Sequence, residues 1–389
     1  MRIAVVTESF LPTLNGVTTS ACRVVECLAA GGHDVVVMCP GPAPTEHAGV
    51  PVVAVPSVSV RAFPLGVPTR AVRDVLTDFA PDVVHVASPF VLGARALSLA
   101  EQLGIPAVAV YQTDMPSYLA QHGPGAVGTG AAGAAWRWIR RVHGLATLTL
   151  APSTPTLAEL AAHGVRDTAR WGRGVDTALY HPSRRVGVEA LRAGLAPGGE
   201  VLVGYVGRLA PEKELWRLED VARVPETRLV VVGDGPGRVR TGIRLAEAVA
   251  SMPGRPNRPP VLLGQRSGEA LADAYAALDV FVHTGTRETF GQTLQEAAAS
   301  GLPVVAPARG GPLDLVEHDR TGLLFDPDVP GDLAHRVRAL VADPERRALM
   351  GTAGRVAVED RTWPGVVDEL VEHYRAAMTL HARRSLPVA

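Results

Sequence analysis

Lysine is almost missing from this chain: of 38 basic residues, 37 are arginine and one, Lys213, is lysine. Cysteine is scarce as well. Cys22, Cys27 and Cys39 form an odd set without CxxC spacing or zinc-type partners, which excludes a disulfide framework and a structural zinc site. A reducing cytoplasm suits such a set. No stretch reaches the ~20 apolar residues of a membrane span, and the apolar run at the amino terminus, closed by Glu8, is too short for a signal peptide. The expectation is a cytoplasmic protein that touches a membrane, at the inner face of the plasma membrane, without crossing it. Neither sign of charge is in excess. With a formal net charge of −1, nothing global attracts nucleic acid, and affinity for an anionic surface needs a local patch.

What is present describes a globular enzyme. Hydrophobic residues make up 47% and charged residues 20%, too apolar for disorder. At 389 residues the chain exceeds what one core usually serves, so two domains are expected. The first half alternates strand and helix: RIAVVTE (2–8), a loop with Pro12, Asn15 and Gly16, a helix from Thr18 to Ala30 closed by Gly31-Gly32, then HDVVVMC, VPVVAVP, DVVHVAS, PAVAVYQ and TLTLAPS. Short apolar strands separated by helical segments predict a parallel, doubly wound sheet, with ligands outside the carboxyl ends of its strands. The pattern lapses over 176–200, which sets a linker with one short helix and a boundary near 180. It restarts with VLVGYVG, RLVVVGD, PVLLGQ, DVFVHTG, LPVVAPA and TGLLFDP, a second doubly wound domain. Residues 250–260 read as a mobile surface loop. The tail from Trp363 to Arg384 reads as a helix with Val366, Val367, Leu370, Val371, Tyr374 and Met378 on one apolar face. The expected domains are therefore 1–180 and 181–389, with 363–389 crossing back to the first.

Several segments carry chemistry. Arg208 and Lys213, in GRLAPEKE, follow a strand; two cations there can neutralise a diphosphate without a metal, although R-x4-K alone also describes a solvated loop. ETFGQTLQE follows another strand and sets Glu288 in the loop and Glu296 inside a helix. Gly291 permits a tight turn, and the amides from Phe290 through Thr293 to Leu294 point as a helix amino terminus does. One carboxylate can take sugar hydroxyls and the other a ribose; the plainer reading leaves Glu296 on a helix surface. VVGDGPGR, with Gly235, is either a ligand-supporting turn or a tight strand-to-helix turn. Asp326-Pro327-Asp328 is a turn rather than a metal site. AAWRWIRRVHGLA (134–146) either rests on an anionic membrane or packs through Trp138, Ile139 and Val142 with its arginines in solvent.

GRLAPEK, VVVGDGP, ETFGQTLQE, SGLPVVAP, GGPLDL and TESFLPTLNGV together resemble the retaining glycosyltransferases of family 4, which are GT-B enzymes: two Rossmann-like α/β domains facing a cleft. VHVASPFVLGA, VAVYQTD, LAPSTPTLAEL, WGRGVDTALYHPS and FVHTGTRETFGQTLQEA are similar to the actinobacterial GDP-mannose-dependent α-mannosyltransferases that act on glycolipids. The resemblance covers nearly the whole chain. It implies an acceptor-side first domain and a donor-side second one, with no cofactor beyond the nucleotide-sugar donor and no metal. It implies that Arg208 and Lys213 hold the donor diphosphate, Glu288 the sugar with amides near Phe290 and Gly291, and Glu296 the ribose. Gly16 would lie in the loop approaching the phosphates. Where many relatives carry histidine after the fifth strand this chain reads YQTDMPSY, so Asp114 or Gln112 takes that place. A UDP-sugar donor, a sugar-nucleotide epimerase and a non-catalytic sugar-nucleotide-binding protein are the competing readings.

Overall fold

The computed structural model describes residues 1–13, 15–60, 63–112, 128–252 and 259–385. They form two compact units, one of residues 1–173 with 363–389, the other of residues 174–362.

The first unit is built on a sheet with order β10-β9-β8-β7-β1-β2-β4-β3. Its members are β1 (Arg2–Val6), β2 (Asp34–Pro40), β3 (Glu46–His47), β4 (Val50–Val55), β7 (Val83–Val86), β8 (Ala107–Val110), β9 (Leu148–Ala151) and β10 (Thr168–Arg170); β5 (Ser57–Val60) and β6 (Phe63–Gly66) form a separate hairpin. Every pairing in the sheet is parallel except β3 with β4. Successive side chains of a strand point to opposite faces, and β1 shows both being covered. Ile3 and Val5 join one apolar cluster with the helices Gly16–Ala30 and Trp363–Ser385. Ala4 and Val6 join another with the helices Arg70–Phe79 and Val91–Leu103. Burial on both faces explains why these strands read as unbroken apolar runs.

Local signals set the helix ends. Asn15 caps the helix Gly16–Ala30, its side chain accepting from the N–H groups of Val17 and Thr18 at 2.9 and 3.0 Å. At the carboxyl end of β1, the buried Glu8 accepts from the backbone N–H of Gly66 (3.1 Å), Leu92 and Gly93 (3.4 Å), tying the hairpin to the start of the helix Val91–Leu103. The carboxy-terminal helix belongs to this unit. Trp363, Val366, Val367, Leu370, Val371, Tyr374 and Ala377 are buried, the Trp171 indole donates to the Val366 carbonyl at 2.9 Å, and the Tyr374 hydroxyl meets His85 Nδ1 at 3.0 Å. Ala377, one helical step from Met378, fills the last core position. Met378 is half-buried.

The second unit holds β11 (Val201–Val206), β12 (Thr227–Val232), β13 (Val261–Gly264), β14 (Val280–Val282), β15 (Val304–Pro307) and β16 (Gly322–Phe325), all parallel, in the order β13-β12-β11-β14-β15-β16. Strand order reverses between β11 and β14. The crevice at their carboxyl ends is the topological switch point where such sheets bind ligands.

The chain passes between units at Arg173–Gly174, ahead of the boundary expected near 180. Val175 and Tyr180 are buried in the second core, and one Arg355 nitrogen donates to the carbonyls of Thr177, Tyr180 and Ala299 at 3.0, 3.0 and 2.9 Å. Those contacts fasten the polar 176–180 stretch to the second unit. The expected short helix follows as Glu189–Leu195, after a 3-10 turn at Pro182–Gly187. Most of the loop expected at 250–260, namely 253–258, lies outside the described residues.

Candidate active site

The loop after β11 is shaped by backbone packing against a second loop. Leu209 N–H donates to the Asp234 carbonyl at 2.9 Å, and Gly237 N–H donates to the Leu209 carbonyl at 2.7 Å. A Cβ on Gly233 would run into the Gly207 carbonyl oxygen, and one on Gly235 would come 2.5 Å from that of Leu209. Both glycines also adopt positive φ, at 137° and 153°. VVGDGPGR is therefore a support on which GRLAPEK lies, and Gly235 serves the site through that support.

Lys213 closes a 3-10 turn, Pro211–Lys213. Its N–H reaches the Ala210 carbonyl at 3.0 Å, and its own carbonyl accepts from the Thr284 hydroxyl at 2.5 Å. Thr284 follows β14, so one switch-point loop holds the other. The side chains complete the link: Lys213 Nζ lies 2.7 Å from Glu288 Oε2, and the two are 25% and 18% exposed. Burial alone would raise the Glu288 pKa, but the Lys213 ammonium, with help from His283 and the Phe290 N–H, pulls it down to about 2. Burial works against the Lys213 charge, and Glu288 raises its pKa above the usual lysine value. Both groups are ionised at neutral pH.

Two glycines of GGPLDL hold the Glu288 loop from behind. A Cβ at Gly310 would come 2.6 Å from the Glu288 carbonyl oxygen; Gly311 N–H donates to that carbonyl at 2.7 Å, and a Cβ at Gly311 would collide with Phe290 O. Phe290 is buried; its N–H reaches Glu288 Oε1 at 3.4 Å. Gly291, at φ 109°, starts the helix Gln292–Ala299. The N–H groups of Gln292 and Thr293 stand in its first turn, where a helix has no carbonyl of its own to offer them. Leu294 is a core residue at 1% exposure, and its N–H already donates to the Gly291 carbonyl at 2.9 Å, so the amides expected to serve a ligand narrow to those before it.

Arg208 and Glu296 have other partners. Arg208 is 64% exposed, lies 3.8 Å from Glu212 and is near enough for its charge to act on Lys213. Glu296, one turn into the helix, accepts from the Tyr275 hydroxyl at 2.9 Å, and burial raises its carboxyl pKa to about 7. Sequence reasoning placed these charges on the right elements but missed Tyr275, Thr284 and His283. Thr284 and Tyr275 work through Lys213 and Glu296, far away in the chain, whereas His283 stands in the same loop as Glu288; the one signal was the polar HTG at the end of an otherwise apolar strand.

In the first unit, Gly16 begins the helix Gly16–Ala30 beside the Arg173 guanidinium. Arg173 donates to Gln112 Oε1 at 2.6 Å, and Gln112 Nε2 donates to the Ala87 carbonyl at 2.5 Å, so the Gln112 amide is bound at both ends. Asp114 lies outside the described residues. Asp326 accepts from Asp328 N–H at 2.9 Å and Asp328 pairs with Arg309 at 2.7 Å, the geometry of a closed turn.

The helix Gly128–His143 differs at Trp138 from the packed reading of its sequence. Ile139 and Val142 are buried, but Trp138 is 49% exposed beside the exposed Arg137, Arg140 and Arg141. Trp136 is the packed tryptophan, stacked on His163 with 3.7 Å between ring centroids. Trp138 and Ile139 also line a mainly apolar cavity of about 180 Å³ at the carboxyl ends of β7 and β8, with Phe90 and Tyr111.

Comparison with known proteins follows this geometry. Residues 14–179 match the model of Glycosyltransferase Family 4, and residues 189–357 that of Glycosyl transferases group 1. The chain is 46% identical over 403 residues to a GDP-mannose-dependent alpha-mannosyltransferase of Mycolicibacterium smegmatis, with all of both chains covered. It is 40% identical to one of Corynebacterium glutamicum, covering 98% of this chain and 91% of the other. The chain belongs to the family 4 glycosyltransferases. Among solved structures, this glycosyltransferase is similar to a sucrose-phosphate synthase from Thermosynechococcus elongatus (TM-score 0.77, 22% identity, 97% and 99% of the two chains). Anabaena HepE, solved with UDP and glucose, is also similar (0.75, 20%, 96% and 99%). These share its fold, the two-domain GT-B architecture.

Proposed function

We propose that this family 4 glycosyltransferase moves mannose from GDP-mannose to a hydroxyl of a glycolipid, with retention of configuration and without a metal ion. The Lys213–Glu288 pair at the switch point carries the chemical reading. Departure of a nucleoside diphosphate builds negative charge, and a fixed ammonium, the Arg208 guanidinium and the first-turn amides of the helix Gln292–Ala299 are arranged to offset it. Glu288 accepts hydroxyls of the sugar and Glu296 those of the ribose. Of the two acceptor-side candidates, Gln112 is engaged with Arg173 and Ala87, and Asp114 lies outside the described residues. The choice of mannose and guanosine rests on the full-length likeness to the mannosyltransferases.

A thermal-shift panel with GDP-mannose, GDP, UDP-GlcNAc, UDP-glucose and UDP tests the donor, because a ligand that binds the native state raises its melting temperature. Stabilisation by the guanosine pair is expected, and turnover should persist in EDTA. Stabilisation by the UDP set alone, or turnover lost to EDTA and restored by Mg²⁺, would overturn those parts of the reading.

Glu296 gives the donor site a pH dependence. Its folded carboxyl titrates near 7, above the ordinary value of 4.5, so at pH 6 it is largely protonated. A ribose hydroxyl donates best to the ionised form. GDP affinity should therefore rise with pH, by roughly tenfold between pH 6 and 8 for one linked proton. Titration calorimetry of wild type and Glu296→Gln checks this; the slope should be absent from the variant.

The lipid acceptor draws support from Trp138 and its neighbouring arginines, since an exposed indole among guanidinium groups suits an anionic bilayer surface. Among the described residues no helix is long and apolar enough to cross a membrane; the association proposed is a peripheral one. Co-flotation with anionic liposomes, weakened by Trp138→Ala, is the expected result, and absence of wild-type flotation would count against it.

A further inference from the structure

His283 follows β14 inside a buried stretch that continues through Thr284; it is 2% exposed, and neither ring nitrogen completes a hydrogen bond of good geometry among the described residues. An unpaired buried imidazole is costly, so its position calls for a reason. Its Nε2 lies 3.6 Å from Glu288 Oε2, the same oxygen that Lys213 Nζ holds at 2.7 Å. Burial lowers its pKa to about 4, with the Lys213 charge acting in the same direction, and outweighs the opposing pull of Glu288, the Gly285 backbone and Glu214. The imidazole is therefore neutral at physiological pH, with a single N–H. An ionised carboxylate has only acceptors to offer. The arrangement is attractive only if that proton sits on Nε2, facing Glu288.

We propose that His283 is a positioning residue for Glu288, its Nε2–H standing ready to take Oε2 when Lys213 turns to the donor's diphosphate. This inference rests on the donor-site reading above. While Lys213 holds Oε2, His283 remains just beyond bonding distance. Once Lys213 serves the phosphates, a buried carboxylate oxygen would be left without its donor, and an adjustment of roughly half an ångström to one ångström brings His283 to bonding length. Glu288 then stays ionised and aimed at the sugar while the charge on Lys213 is used elsewhere.

The test compares His283→Phe and His283→Gln with wild type, measuring kcat with GDP-mannose and, separately, Kd for GDP, which lacks the sugar. In the phenylalanine variant kcat should fall roughly 10- to 100-fold, the worth of a hydrogen bond to a charged group. Its GDP affinity should stay within about twofold, and glutamine, which restores an N–H, should recover most of the rate. Unchanged kcat in His283→Phe, equal impairment of both variants, or parallel loss of GDP affinity would overturn the proposal. A ¹⁵N NMR measurement of the wild-type His283 tautomer stands apart from variant folding: Nε2–H is expected, and Nδ1–H overturns the idea. Lys213→Ala run alongside separates the two readings. Unchanged turnover there removes the donor-site reading itself, whereas its loss with indifferent His283 variants removes this inference alone.

Discussion

Lys213→Ala should lower kcat/KM by roughly 1,000-fold, the scale seen when a preorganised donor to developing charge is removed. Two consequences combine. The diphosphate loses a fixed cation, and Glu288, whose carboxyl is held near pKa 2 by that cation, is left partly buried without it. Its pKa should climb, converting a strong acceptor into a poorer one, and the fold should lose on the order of 2 kcal/mol. Lys213→Arg should fail nearly as badly. The planar fork cannot occupy the point position that the turn Pro211–Lys213 and the Thr284 hydroxyl create for an ammonium. Steady-state kinetics with a melting curve for each variant separates chemistry from folding; turnover unchanged in Lys213→Ala would remove the assignment.

A chain ending at Thr362 should fail to fold its first unit. The missing helix carries Trp363, Val366, Val367, Leu370, Val371, Tyr374 and Ala377, all buried. At roughly 1.5–3 kcal/mol for each large apolar side chain, the loss is on the order of 10 kcal/mol, comparable with the whole stability of a typical domain. It also leaves the Trp171 indole and the buried His85 without partners. Limited proteolysis should digest residues 1–173 rapidly while 174–362 persists. Equal protease resistance in full-length and truncated chains would show the helix to be dispensable.

Much of this architecture was legible because parallel strands buried on both faces are unbroken apolar runs. The exceptions follow the same physics. β10, Thr168–Arg170, is a short sheet-edge strand with an exposed arginine and no apolar run to announce it. The boundary was set late because 176–180 looks like a linker, although Arg355 fastens it from a point far along the chain. Trp138, expected on the packed face, is exposed because the helix turns it outward and Trp136 toward His163, which periodicity over so few residues does not fix. At the site, residue types and flanking strands located Arg208, Lys213, Glu288 and Glu296, but the direct pairing of Lys213 with Glu288 joins loops brought together only by strand order. Tyr275 is invisible because its partner Glu296 sits on another helix, and His283, though near Glu288 in sequence, because an apolar strand pattern does not show a ring turned toward the carboxylate that follows.

The return of the last helix to the first unit also orders events during synthesis. Residues 1–173 emerge first, yet their core stays open until Trp363–Ser385 has left the ribosome, after the whole of 174–362. The second unit can complete itself while the first still exposes one apolar face. At roughly 5–20 residues per second, that exposure lasts on the order of tens of seconds. The nascent amino-terminal half is thus the portion most in need of a chaperone, and the carboxy-terminal helix is the piece that releases it.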